Sequence, residues 1–93
     1  MRQSPWGAAD KTQLVGITLP DGVEVYSTPS HGFLRVDLRK HTAKLSTYDY
    51  RDGPHHVLLE EDCSATLWLA EHGLIPQEPW LEKMAAGYER VPA

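Results

Sequence analysis

The longest regular pattern of apolar residues lies between Leu58 and Leu74, in the stretch LLEEDCSATLWLAEHGL. Its apolar positions recur at steps of four, four, three and four, which is the spacing of one stripe along an α-helix: Leu59, Cys63, Leu67, Ala70 and Leu74. Acidic residues in the first turn suit the helix dipole. Gly73 suits a left-handed residue after the helix, with Leu74 folded back onto Leu69. The pattern therefore predicts an amphipathic helix over 58–74.

Alternation of apolar and polar residues before this helix predicts an antiparallel sheet. Pro20-Asp21-Gly22 is a turn sequence, because proline presets φ and glycine accepts a positive φ. It joins two apolar runs and so predicts a hairpin, with Glu24 and Tyr26 on the face opposite the core. The strands that we expect are Gln13–Leu19, Val23–Thr28, Phe33–Leu38 and a short fourth strand at Ala43–Thr47.

The two ends of the chain complete the predicted architecture. Residues 1–12 interrupt any apolar period and predict an N-terminal arm, with Trp6 folded onto the domain because of its large apolar area. Pro79 suits the first position of a helix, and the residues after it predict an amphipathic helix over Pro79–Arg90. We therefore expect one α+β domain over residues 13–93, in which a three- to four-stranded antiparallel sheet carries two helices packed on one face.

Composition narrows the classes of function. A chain of 93 residues is long enough for one core, and 41% apolar and 24% charged residues are ordinary for a globular protein. A net charge of −4 argues against nucleic-acid binding, which needs a basic surface. The single cysteine excludes an internal disulfide and favours the cytoplasm. No apolar run has the length of a signal peptide or a membrane span, so we expect no membrane partner.

Two short motifs resemble an uncharacterised family from phages, plasmids and related mobile elements. The first is the TPSHGG-like turn in Ser27-Thr28-Pro29-Ser30-His31-Gly32, and the second is the EEDC helix start at Glu60–Cys63. Phe33 stands where a second glycine is usual, and Leu59 stands where an aromatic residue is usual. Since that family has no assigned chemistry, the resemblance implies a genomic setting: small proteins of mobile elements often bind and disable a host defence machine. The implied role is anti-CRISPR-like or anti-restriction.

Cys63 and His31 are the candidates for a nucleophile and its base, with Glu61 as the residue that orients the imidazole. Three carboxylates immediately before Cys63 oppose a thiolate, however, and the thiol lies on the apolar stripe of the helix. The alternative is a structural role for His31. Its ring would bond one of the carboxylates of Glu60, Glu61 or Asp62 and so hold the turn against the helix start, an arrangement that we call the latch. The enzymatic interpretation requires a reactive Cys63 thiol, whereas the latch interpretation leaves this thiol unreactive.

The other histidines fit no zinc template, because their spacing matches none and there is no second cysteine: His41, His55, His56 and His72. Phosphate-binding and dinucleotide-binding glycine motifs are also missing from the sequence. We therefore expect no metal and no cofactor.

Aromatic residues among mixed charges are typical anchors of a protein interface. The candidate partner-binding residues are Tyr26, Tyr48, Tyr50, Trp68, Glu60 and Glu61, although Trp68 would equally suit a widened core face of its helix. Three functions stay open: a non-enzymatic protein that occupies the surface of a host protein, a small enzyme that uses Cys63 and His31, and an accessory or homodimeric subunit with the Trp80 helix as its seam. The protein is expected to be a monomer or a homodimer.

Overall fold

Two antiparallel sheets make up most of the fold. The structure, a computed structural model, describes residues 2–92. The strands are β1 (Arg2–Ser4), β2 (Gly7–Thr12), β3 (Val23–Ser27), β4 (Gly32–Asp37), β5 (Ala43–Leu45), β6 (Tyr50–Asp52), β7 (His56–Glu60) and β8 (Glu89–Val91). A π-helical turn at Glu61–Ala65 continues as α1 (Thr66–Glu71), and α2 spans Pro79–Met84. The larger sheet has the strand order β1-β2-β3-β4-β7-β6, and β5 pairs with β8 in the smaller one.

The α+β class predicted from the sequence is wrong, because the larger sheet has six strands rather than three or four and only about 19% of the residues are helical. Leu58 and Leu59 belong to β7, where Leu59 pairs with Leu34 of β4. Residues 58–60, the start of the predicted helix, are therefore a strand paired with β4. The observed helical segment begins at Glu61. The second predicted helix stops at Met84, and the chain returns as β8.

Residues 2–12 form two strands of the sheet and not the expected arm. Thr12 pairs with Val25, so β2 occupies the position beside β3 that was assigned to Gln13–Leu19. The latter segment runs outside the sheet, and Val15 is 99% exposed. The predicted hairpin is correct at its turn, where Val23 N–H bonds the Pro20 carbonyl at 3.2 Å and Gly22 has φ +88°.

The main core lies on the convex face of the larger sheet. Alternate residues of the central strands are buried there: Val23, Val25, Leu34, Val36, Val57 and Leu59. Trp68 of α1 covers them, and its indole N–H donates to the Thr42 carbonyl at 3.0 Å. Each such apolar side chain contributes about 1.5–3 kcal/mol when it is fully buried.

The end of α1 confirms the predicted cap. Gly73 has φ +71°, the Leu74 N–H bonds the Leu69 carbonyl at 2.9 Å, and the Gly73 N–H bonds the Ala70 carbonyl at 3.1 Å. These two bonds are the Schellman pattern, which satisfies the last carbonyls of a helix. Because this cap depends only on residues that are close in sequence, it can be predicted from the sequence.

The larger sheet curls until its edge strands face each other. Arg2 of β1 bonds Asp52 of β6 at 2.7 Å, and the ring centroids of Trp6 and Tyr50 lie 5.3 Å apart. The concave face holds a second small core of Ala9, Phe33 and Leu58, against which Trp6 and Tyr26 pack. The predicted packing of Trp6 onto the domain is confirmed. Among residues 2–92, no helix is long and apolar enough to cross a lipid bilayer.

Candidate functional site

An open cleft of about 450 Å³ lies at one end of the curled sheet. Four separate segments supply its walls: the β1–β2 turn, the turn before β4, the loop that leads into β6, and the junction of β7 with the π-helical turn. The side chains that line it are Trp6, His31, Thr47, Tyr48, Tyr50, Glu60, Asp62 and Cys63. The cleft therefore depends on the curl of the sheet, which brings the first segment beside the others.

Aromatic rings form the fixed wall of this cleft. Trp6 packs on Phe33 with ring centroids 5.2 Å apart, and Tyr50 meets Trp6 edge-on at an interplanar angle of 88°. Aromatic pairs of this geometry add about 0.5–1.5 kcal/mol beyond the area that they bury. Tyr48 and Tyr50 remain 66% and 46% exposed. Two tyrosine rings are thus presented to solvent at the mouth of the cleft.

Asp49 fixes the loop that carries the two tyrosines. One carboxylate oxygen accepts the Glu60 N–H at 2.8 Å, and the other accepts the Ser46 N–H at 2.7 Å and bonds the Ser64 hydroxyl. Ser46 in turn accepts the Tyr48 N–H through its hydroxyl oxygen at 3.1 Å. Asp49 is not among the candidate residues predicted from the sequence, although the Ser-x-x-Asp spacing of residues 46–49 is typical of a local side-chain turn.

The surroundings of the Cys63 thiol favour its protonated form. Burial raises the pKa of the thiol, and a hydrogen bond to the Glu60 carboxylate raises it further, while a hydrogen bond with Tyr88 acts in the opposite direction. Cys63 and His31 do line the same cleft. A nucleophilic cysteine needs a lowered pKa, so the direction of the shift opposes the enzymatic interpretation.

The turn before β4 meets the helix start through backbone pairing. Phe33 pairs with Glu60, and a Cβ atom on Gly32 would lie 2.7 Å from a Glu61 carboxylate oxygen. The turn and the helix start do meet, but the hydrogen bond predicted for the latch is not formed. Among residues 2–92, none joins the His31 ring to the carboxylates of Glu60, Glu61 or Asp62. The His31 ring lies instead beside Trp6, with centroids 6.3 Å apart.

Two predicted contact residues pack against other rings of the fold, Trp68 fully buried and Tyr26 half-buried. Trp68 is 1% exposed and stacks on His72 at 3.7 Å between ring centroids, so the core interpretation of this tryptophan is correct. Tyr26 stacks on Phe33 at 5.2 Å within the concave face. Tyr48, Tyr50 and Glu60 remain at the cleft, whereas Glu61 lies outside it against Gly32.

The remaining histidines lie in different parts of the fold. His41 and His72 flank Trp68, and His56 lies 3.9 Å from the Asp37 carboxylate. Burial is the main cause of the lowered pKa of His56, and the nearby Arg35 lowers it further. No group of three or more histidine, cysteine or acidic residues within 2–92 has the arrangement of a metal site.

Charges at the other end of the concave face are neutralised by one another. Arg35 donates to Asp52 at 2.7 Å and lies 3.4 Å from Glu24, which also pairs with Lys11 at 2.9 Å. The Arg35 hydrogen bond is the main cause of the lowered pKa of Asp52.

Comparison of the chain with protein-family models, with curated proteins and with solved structures gave no match.

Proposed function

We propose that the protein is a small non-enzymatic binding protein, which inhibits or modulates a host protein machine by occupying its surface. The observation that supports this function is the cleft wall, where Tyr48 and Tyr50 are exposed on a frame fixed by Trp6 and Asp49. Rigid exposed aromatic side chains contribute much of the energy of protein interfaces, because they bury a large area and lose little conformational entropy.

The resemblance of the two motifs to proteins of mobile elements indicates the class of partner. A host defence machine in the bacterial cytoplasm, such as an RNA-guided nuclease complex or a restriction enzyme, is the target that we propose. Inhibition by occupancy requires one molecule of the protein for each target molecule. This stoichiometry separates the proposal from an enzymatic one.

An enzyme that uses Cys63 and His31 is the second candidate, and the observation in its favour is that both side chains line one cleft. The raised pKa of the thiol stands against it, because very little thiolate would be present at neutral pH. Such an enzyme would inactivate many target molecules per protein molecule.

A photo-crosslinking residue placed at Tyr48 tests the binding function in host cells. The control carries the same residue at Trp80, which is 51% exposed on α2 and does not line the cleft. Position 80 also tests the homodimer candidate, whose seam would be this helix. We expect one host protein to be crosslinked from position 48 and not from position 80, and the purified pair to associate at a ratio of one to one.

Three results would contradict the proposal. They are crosslinks from position 80 alone, crosslinks only between copies of this chain, and no adduct from either position. Loss of target activity at strongly substoichiometric amounts of the protein would favour the enzyme instead.

A further inference from the structure

We propose that the cleft binds the guanidinium group of an arginine side chain on the partner protein. This inference rests on the proposed binding function and adds the chemistry of the contact. It follows from two properties of the lining residues, their aromatic rings and their charge.

The first property is the number of aromatic rings around one open space. Trp6, Tyr48 and Tyr50 all line the cleft, and the edge-on contact of Tyr50 with Trp6 sets their rings at nearly a right angle. Cations bind over aromatic faces within about 6 Å of the ring centre. The planar guanidinium group also stacks on such faces, which the compact ammonium of lysine does not do.

The second property is unbalanced negative charge. Glu60 and Asp62 line the cleft, and neither takes part in an ion pair among residues 2–92. Of the lining residues, only His31 can carry a positive charge. A guanidinium group would therefore find carboxylates to accept its N–H donors beside the rings on which it stacks.

Two other cavities of the fold lack this combination. A cavity of about 310 Å³ at the opposite end of the concave face has its own cations, Lys11 and Arg35, among its walls. The groove beneath residues 13–19 has a volume of about 270 Å³ and no charged residue in its lining. A third cavity of about 310 Å³ is lined by Glu61 and Asp62 and by no cation, but its two aromatic rings, Tyr26 and Phe33, stack on each other at 5.2 Å. Exposed aromatic rings beside carboxylates thus distinguish the cleft that Tyr48 and Tyr50 line.

A titration monitored by ¹H–¹⁵N NMR tests the inference on the full chain. The probe is the capped tripeptide acetyl-Gly-Arg-Gly-amide, and the matched control replaces arginine by citrulline, which has nearly the same shape and no charge. We expect the arginine peptide to shift the Trp6 indole N–H and the amides of Tyr48 and Tyr50, and to bind roughly tenfold more tightly than the citrulline peptide.

Variants separate the two properties of the site. Tyr48→Phe keeps the ring and should bind like the parent, whereas Tyr48→Leu should weaken binding by roughly threefold or more. Asp62→Asn should weaken it roughly two- to threefold, and Glu82→Gln, an exposed acid on α2, should leave it unchanged.

Equal affinity for the two peptides, or shifts that map away from the cleft, would overturn the inference. If position 48 still crosslinks a partner in that case, the binding function stands and only the arginine assignment fails. If position 48 crosslinks nothing, the binding function itself fails.

Discussion

Arg2 and Asp52 lie on the two edge strands of the six-stranded sheet, yet their side chains meet at 2.7 Å. The sheet is therefore closed by side chains at a place where no backbone ladder joins β1 to β6. Tyr50, on the same edge strand as Asp52, meets Trp6 from the β1–β2 turn. Both rings line the cleft, so the cleft forms only when the two edge strands of the sheet come together.

A double-mutant cycle on Arg2→Met and Asp52→Asn should show a coupling free energy of about 1 kcal/mol, because both side chains are only about 30% exposed. Asp52→Asn should be the more destabilising of the two, since Asp52 also accepts a hydrogen bond from Arg35. Urea denaturation measures each free energy of unfolding. Lys11→Met, on a more exposed pair, is the control and should leave the free energy of unfolding nearly unchanged. A coupling energy of zero would mean that the pair does not close the sheet.

Acid should destabilise the protein through Asp37. Hydrogen bonds from the Arg39 side chain and backbone hold the pKa of the Asp37 carboxyl well below its usual range. A group with a lowered pKa in the folded state stabilises the fold above its unfolded pKa of about 4, and that stabilisation is lost as the pH falls below this value. Unfolding measured from pH 6 to pH 2 should show a decline that is smaller in Asp37→Asn. Arg39→Gln should flatten the curve in the same way, and unchanged slopes in both variants would refute the assignment.

Asp49→Asn should destabilise the fold by about 1–3 kcal/mol, because an amide nitrogen cannot accept the Ser46 N–H that the carboxylate accepts at 2.7 Å. Hydrogen exchange should also quicken at the amide of Glu60, which bonds the same carboxylate. Thr47→Ala, an exposed change in the same loop, is the control and should alter stability by less than about 0.5 kcal/mol. Equal effects of the two changes would show that Asp49 does not hold the loop.

Alkylation of Cys63 should be slower in the folded protein than in the unfolded chain at pH 8. The reason is the raised pKa of the thiol, caused first by burial and then by the Glu60 hydrogen bond. Glu60→Gln removes the negative charge and should accelerate the reaction. A folded-state thiol that reacts faster than the unfolded one would restore the enzymatic candidate.

Local features of this fold could be predicted from the sequence. The turn at Gly22 and the cap at Gly73 depend on the backbone freedom of one glycine and on bonds to near neighbours. Pro79 likewise opens α2 as expected. At the cleft, Tyr48 and Tyr50 are among the partner-binding candidates that the sequence indicates, and both are exposed.

Features that depend on distant pairing could not be predicted. Leu59 fits the helical period but pairs with Leu34 of β4. The strand Gly7–Thr12 has one buried side chain, Ala9, and so carries almost no strand signal of its own. Val15, Ile17 and Leu19 alternate as a strand would, yet the register of β2 leaves them outside the sheet.

The curled closure that builds the cleft is the central claim, and contacts between the protons of the Trp6 indole and the Tyr50 ring test it most directly. Nuclear Overhauser effects on the full chain measure them. The ring centroids lie 5.3 Å apart with the rings edge-on, so we expect several cross-peaks between the two rings. The absence of these cross-peaks, together with random-coil shifts over residues 2–12, would contradict the account.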